Sequence, residues 1–220
     1  PLAPLTAYAR SKLAVEAGLA AMDRGGMQAT CLRFATACGM SARLRLDLVL
    51  NDFVAAALAR GRIEVLSDGS PWRPLIDVRD MARAIAFAVV RPDESGGEML
   101  TLNVGGDAAN HCVRDLAAAV AAAVPGTGVA INTDAAPDAR SYRVDFSLFR
   151  QLAPQHQPRI DLHGSIDGLL SGLRAIGFAD AGFREGDRMI RLNRLGSLLR
   201  AGALTADLRW TSAAGHRTAA

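Results

Sequence analysis

Short runs dense in apolar and β-branched residues alternate along this chain with longer stretches that repeat apolar residues at helical spacing. That alternation restricts it to an α/β architecture with strands paired partly in parallel. Strands are expected at residues 28–34, around Ile63, Val65 and Leu66, from Leu75 to Val78, at residues 99–104 and at residues 128–131. Helices are expected from Tyr8 to Arg24, from Asp47 up to Gly61, from Asp80 to Val90, from Val113 to Val124, and near 165–176 and 184–200. Thr6 is placed to cap the first helix, Gly25 and Gly26 to stop it, and Gly61 to stop the second. The pattern weakens between Asn132 and Asp145, and the tail after Trp210 is expected to be disordered.

Composition removes several classes of function. The net charge of +3 over 220 residues is spread along the chain, with no basic run interleaved with aromatics, so no nucleic-acid partner is expected. Cys31, Cys38 and Cys112 are odd in number and form no CxxC pair, which fits a reducing, cytoplasmic compartment. His111, His156, His163 and His216 lack the spacing of metal ligands, so no metal is expected. No apolar run approaches the roughly 20 residues of a membrane span. The chain opens without methionine on Pro1-Leu2-Ala3-Pro4-Leu5, with no signal-peptide pattern, and reads as a loop within a larger protein.

One motif carries chemistry. Tyr8-Ala9-Arg10-Ser11-Lys12 reads Y-x-x-x-K, and residues four apart share a helix face. A free phenol, with a pKa of about 10, is a poor base at neutral pH, and a nearby ammonium favours its phenolate. A tyrosine so tuned exchanges a proton with a substrate hydroxyl while a hydride moves to or from a nicotinamide ring. Lys12 is the chain's sole lysine, every other basic side chain being arginine, and there are only two tyrosines. A compact ammonium on a slim stem is therefore the specific choice at this position.

The surrounding residues resemble a family. Pro4 to Glu16 is similar to the P-x-x-x-Y-x-x-S-K-x-x-x-E segment of extended short-chain dehydrogenases, the NAD-dependent epimerase/dehydratase family. Leu32 to Gly39 resembles its L-R-x-x-N/T-x-Y-G strand end, and Asp68 to Asp80 its D-G-x-x-x-R-x-x-x-H-V-x-D segment. Leu102 to Gly105 matches its N-V-G strand, and Asp138 to Asp145 its D-x-R-x-x-x-x-D segment. The matches are collinear from residue 1 to about 180. The resemblance implies the C-terminal part of a Rossmann-type doubly wound parallel sheet with a smaller α/β substrate-binding lobe. Residues 1–180 would form that part, and 181–220 a helical extension and tail.

The resemblance also implies roles. Tyr8 would be the acid/base, and Lys12 its tuner and ribose ligand, both against NAD, with NADP not excluded. Phe34, Ala35 and Thr36 would line the nicotinamide side. Thr36 and Asn51 would approach the sugar or its diphosphate, although Asn51 reads equally well as a polar residue on a helix face. Arg73 and Arg140 would clamp the diphosphate of a nucleotide-sugar, an anion that suits the guanidinium fork. A homodimer through the Tyr8–Arg24 helix follows from the family habit.

Two positions depart from the pattern. Cys38 stands where the family usually has tyrosine, and Asp77 where histidine is common. The glycine-rich turn that holds a dinucleotide pyrophosphate is not found, because Gly105-Gly106 has no third glycine at the right spacing. The N-terminal half that would carry it is thus expected to be missing. The implied activity is a nucleotide-sugar epimerase. A dehydratase, a carbonyl reductase and a non-catalytic truncated homologue remain open alternatives.

Overall fold

In the computed structural model residues 3–135 and 141–211 are described. In chain order they form α1 (Ala7–Ala21), β1 (Ala29–Phe34), β2 (Thr36–Cys38), α2 (Val49–Arg60), β3 (Arg62–Val65), β4 (Trp72–Asp77), α3 (Val78–Val90) and β5 (Met99–Val104). There follow β6 (Asn110–Cys112), α4 (Val113–Ala123), β7 (Gly128–Ile131), α5 (Ser147–Leu152), α6 (Leu162–Ala175) and α7 (Arg191–Arg200). The chain is an α/β protein whose elements divide into two interleaved units. The first comprises Pro1–Ala37, Pro71–Cys112 and Asp138–Leu162; the second comprises Cys38–Ser70, Val113–Pro137 and His163–Ala220.

The first unit is organised by β1 and β5, which pair in parallel from Ala29↔Met99 to Phe34↔Val104. β5 alternates strictly, burying Leu100, Leu102 and Val104 while its other residues are half-buried, the period-two pattern of a strand with one face on a core. That core includes Ile76, Ala84, Phe87, Phe146 and Phe149. Phe87 and Phe149 meet edge to face with centroids 6.3 Å apart, and fully burying a side chain of this size contributes about 1.5–3 kcal/mol. Gly105 is required here: a Cβ would lie 2.6 Å from the Phe146 ring. β4 pairs antiparallel with β6, with Arg73 opposite His111.

In the second unit, β3 and β7 pair in parallel, and α2 and α4 pack on each other and on β3. α2 buries Leu50, Phe53, Val54 and three successive alanines, Ala55 to Ala57, against a core containing Ile63, Val65, Leu116, Ala117 and Val120. Arg184 ties the later chain to this unit. Its guanidinium donates to both carboxylate oxygens of Asp52, at 2.8 and 2.6 Å, and to Glu64 at 3.2 Å.

Several boundaries differ from those expected. α1 ends at Ala21 rather than Arg24, because Met22 turns extended (ψ 139°). Arg24 then folds back, donating to the carbonyl of Leu19 at 2.7 Å and so satisfying part of the helix end. α3 starts at Val78, since Asp77 is its N-cap and accepts from the Arg79 amide. The last helix starts at Arg191, not 184. Gly186 closes a turn onto Gly182, and the Asn193 side chain donates to the carbonyls of Arg184 and Gly186. β2, β6 and α5 were not anticipated. Of the tail expected to be disordered after Trp210, Thr211 is described, its amide donating to the Ala203 carbonyl at 3.1 Å, and residues 212–220 lie outside the described residues. No helix among the described residues is long and apolar enough to cross a membrane.

Candidate active site

The Tyr8 and Lys12 side chains are positioned by α1. Its start follows from local chemistry: Thr6, in extended conformation, accepts from the Ala9 amide at 3.1 Å, and the Arg10 amide bonds the Thr6 carbonyl at 3.0 Å. Ser11 folds its hydroxyl back onto the Tyr8 carbonyl at 2.8 Å. The Lys12 ammonium lies 5.4 Å from the centroid of the Tyr8 ring, within cation–π range. Tyr8 is 72% exposed, so its hydroxyl is open to a ligand.

Two ion pairs give the direction of α1. Arg24, just past its end, pairs with Glu98, the residue before β5, at 3.5 Å. Glu16, in its middle, takes Arg33, the residue before the end of β1. α1 therefore runs antiparallel to β1 and β5. Tyr8, eight residues before Glu16, lies about 12 Å farther along the helix axis at 1.5 Å per residue, beyond the C-terminal ends of both strands. In parallel α/β sheets ligands bind outside those ends.

Phe34, Ala35 and Thr36 lie at that end of β1. Phe34 packs against the core, Ala35 is buried and its amide donates to the Val104 carbonyl at 2.8 Å, and Thr36 is half-buried at the start of β2. Arg73 lies in the same unit on β4, half-buried, with one guanidinium nitrogen donating to the Trp72 carbonyl at 2.8 Å. Arg143, not singled out from sequence, stacks over the Trp72 indole at 4.7 Å. Arg140 lies outside the described residues.

Asn51 falls in the other unit and is engaged with the chain itself. It is 2% exposed, its side-chain oxygen accepts from the Gly39 amide at 3.0 Å, and its nitrogen donates to the Arg45 carbonyl at 3.0 Å. Asp77, where histidine is common in the family, caps α3 and holds Arg79 through two hydrogen bonds of 2.8 and 2.9 Å, a bidentate grip that one imidazole cannot make. Gly105, the glycine after β5, is fitted to Phe146, so the Gly105-Gly106 turn is a packing feature and not a phosphate cradle. Among the described residues, no group of three or more histidine, cysteine, aspartate or glutamate side chains is placed to hold a metal ion.

Glu16 is visible in the sequence only as a letter of the motif. In the fold its carboxyl is held below its ordinary pKa, first by the hydrogen bond from Arg33 and then by that guanidinium's charge, against an opposing effect of burial. The same bond raises Arg33.

Known structures share this fold. MoeE5, solved in complex with UDP-glucuronic acid and NAD, superposes with a TM-score of 0.66 at 23% identity, over 79% of this chain and 57% of its own. TunA, an NAD-dependent NDP-hexosamine 5,6-dehydratase involved in tunicamycin biosynthesis, gives 0.67 at 22% identity over 80% and 56%. The UDP-glucose 4-epimerase of Thermus thermophilus, complexed with NAD, gives 0.61 at 23% over 79% and 56%. At these identities the likeness is one of fold, and the chain spans little more than half the length of each. The family model for the NAD dependent epimerase/dehydratase family matches residues 1–105, the stretch that contains α1, β1 and β5. Over those residues, just under half of its length, this chain is similar to the NAD dependent epimerase/dehydratase family.

Proposed function

We propose that this chain supplies the acid/base side of an NAD-dependent nucleotide-sugar epimerase, with Tyr8 moving the proton of a sugar hydroxyl. One observation carries the reading: an exposed tyrosine with an ammonium over its ring, on a helix that projects past the ends of two parallel strands. The nicotinamide of NAD, when bound, accepts and returns a hydride. Lys12 holds positive charge beside the phenol and would bond a cofactor ribose. Phe34, Ala35 and Thr36 would line the nicotinamide side, and Thr36 would also approach the sugar. Arg73 and Arg140 bind the diphosphate, whereas Asn51, buried and bonded within its own unit, holds the Gly39–Arg45 loop.

Residues 1–180 form the family part in this reading, and 181–220 an added extension. Three cysteines without a CxxC pair suit a cytoplasmic setting. A homodimer through α1 is part of the proposal, supported by a helix with no buried residue and Val15 56% exposed.

Tyr8→Phe in the native-length protein tests the central claim. With NAD and UDP-glucose, turnover is expected to fall by at least about a hundredfold while NAD affinity stays within about twofold of the parent. Turnover near the parent rate removes Tyr8 from the acid/base role. Loss of water from the sugar in place of epimerisation assigns the dehydratase reading, and reduction of a small carbonyl with nucleotide-sugars left unchanged assigns a reductase.

A further inference from the structure

No residue of α1 reaches the interior of the first unit. None of its fifteen residues is buried, and Val15 and Tyr8 are 56% and 72% exposed. Its half-buried residues, Ala9, Leu13, Glu16 and Leu19, form one stripe at helical spacing, but a face that is nowhere fully buried fixes a helix's rotation weakly, because helical stability in proteins comes mostly from packing an apolar face. What α1 has in its middle is Glu16, whose side chain is only 17% exposed. Arg33 grips it with Nε, at 2.8 Å to one carboxylate oxygen, and with Nη2 to the other. A planar guanidinium bound in this two-point way sets orientation as well as distance.

Arg33 is itself fixed, as the penultimate residue of β1 in register with Asn103 of β5. Glu16 lies four residues from Lys12 and eight from Tyr8, so the three advance about 40° per step around the helix and share one broad face. Turning Glu16 toward Arg33 therefore aims Lys12 and Tyr8. The second tie, Arg24–Glu98, is beyond the helix end, with Glu98 64% exposed, and sets the position of the end rather than the rotation.

We infer that Glu16 and Arg33 are positioning residues: their two-point ion pair sets the rotation of α1 and thereby aims Tyr8 and Lys12 past the C-terminal ends of β1 and β5. The inference rests on the acid/base reading of Tyr8 for its consequence in catalysis, but not for the anchoring itself.

The test uses Glu16→Gln, Arg33→Met and the reversed pair Glu16→Arg with Arg33→Glu, all in the native-length protein, with Tyr8→Phe alongside. Amide hydrogen exchange across α1 is expected to quicken by about tenfold in each single variant, with β1 and β5 unchanged, and to return toward the parent in the reversed pair. Loss of protection spread equally over β1 and β5 would make the pair a general stabiliser and overturn the inference. So would unchanged exchange in α1. With NAD and UDP-glucose, kcat is expected to fall about tenfold at unchanged KM in the single variants and to recover in the reversed pair; parent-like kcat in both single variants overturns the aiming role. A fully active Tyr8→Phe sinks the acid/base reading by itself, and the exchange result then still decides whether the pair anchors α1.

Discussion

α1 and α2 are both alanine-rich helices of three to four turns, and each carries a two-point carboxylate–arginine pair, Glu16–Arg33 and Asp52–Arg184, yet only α2 has a buried face as well. α2 buries seven of its twelve residues, and the only polar one among them, Asn51, has both ends of its amide bonded. α1 buries none of fifteen and is tied to its unit by Glu16–Arg33 and Arg24–Glu98. The helix with the larger packed face has no candidate acid/base group, and the helix that carries one is exposed. Burial gives α2 stability but leaves no side chain open to a ligand. A charged tether leaves the reactive face open and still fixes its direction.

The contrast can be broken most sharply in α2. Phe53 is 4% exposed, and Phe53→Ala is expected to cost about 3–5 kcal/mol, read as a lower denaturant midpoint. A loss below about 1 kcal/mol would mean that α2 is not the packed helix described. The next effect concerns pH. Glu16 is held below its ordinary pKa by Arg33, so the unfolded chain takes up this proton first as pH falls. The stabilisation is therefore complete above the ordinary carboxylate pKa and is lost as pH drops through the lowered folded value. Exchange in α1 should quicken over that acid window before exchange in α2 does, since α2 keeps its seven buried residues even where acid weakens its Asp52–Arg184 pair. Simultaneous loosening of both helices would show that the tether adds nothing local. The smallest effect is expected at Val15: Val15→Ala should change stability by less than about 0.5 kcal/mol. A clearly larger loss, together with a dimer in sedimentation that the variant breaks, would show α1 covered by a second copy.

The parts legible in the sequence were those whose causes are local. Thr6 announced the start of α1, although Met22 ended it earlier than Gly25-Gly26. The alternation of Leu100, Leu102 and Val104 announced β5. β2 and β6 are three residues each, too short to show a period, and β6 is defined by its pairing with β4. α5 is six residues whose buried Phe149 depends on Phe87 across the core. Within the candidate site, Tyr8 and Lys12 were readable because their relation is one helical turn. The partner of Glu16 lies seventeen residues away on β1, and only the folded chain brings the two together. Asn51 looked the same from sequence whether it faced a sugar or a loop, because the Gly39 amide and the Arg45 carbonyl that take it are set by the path of that loop.

Lys12 has one more consequence, in chemical labelling. It is exposed at the open end of α1, and within these 220 residues it is the only side-chain amine. An amine-reactive reagent therefore meets a single side chain here, and that side chain is the one beside the candidate acid/base. Acylation of Lys12, followed by mass, becomes a direct gauge of whether the mouth of the site is open or filled, with no substrate turnover needed to read it.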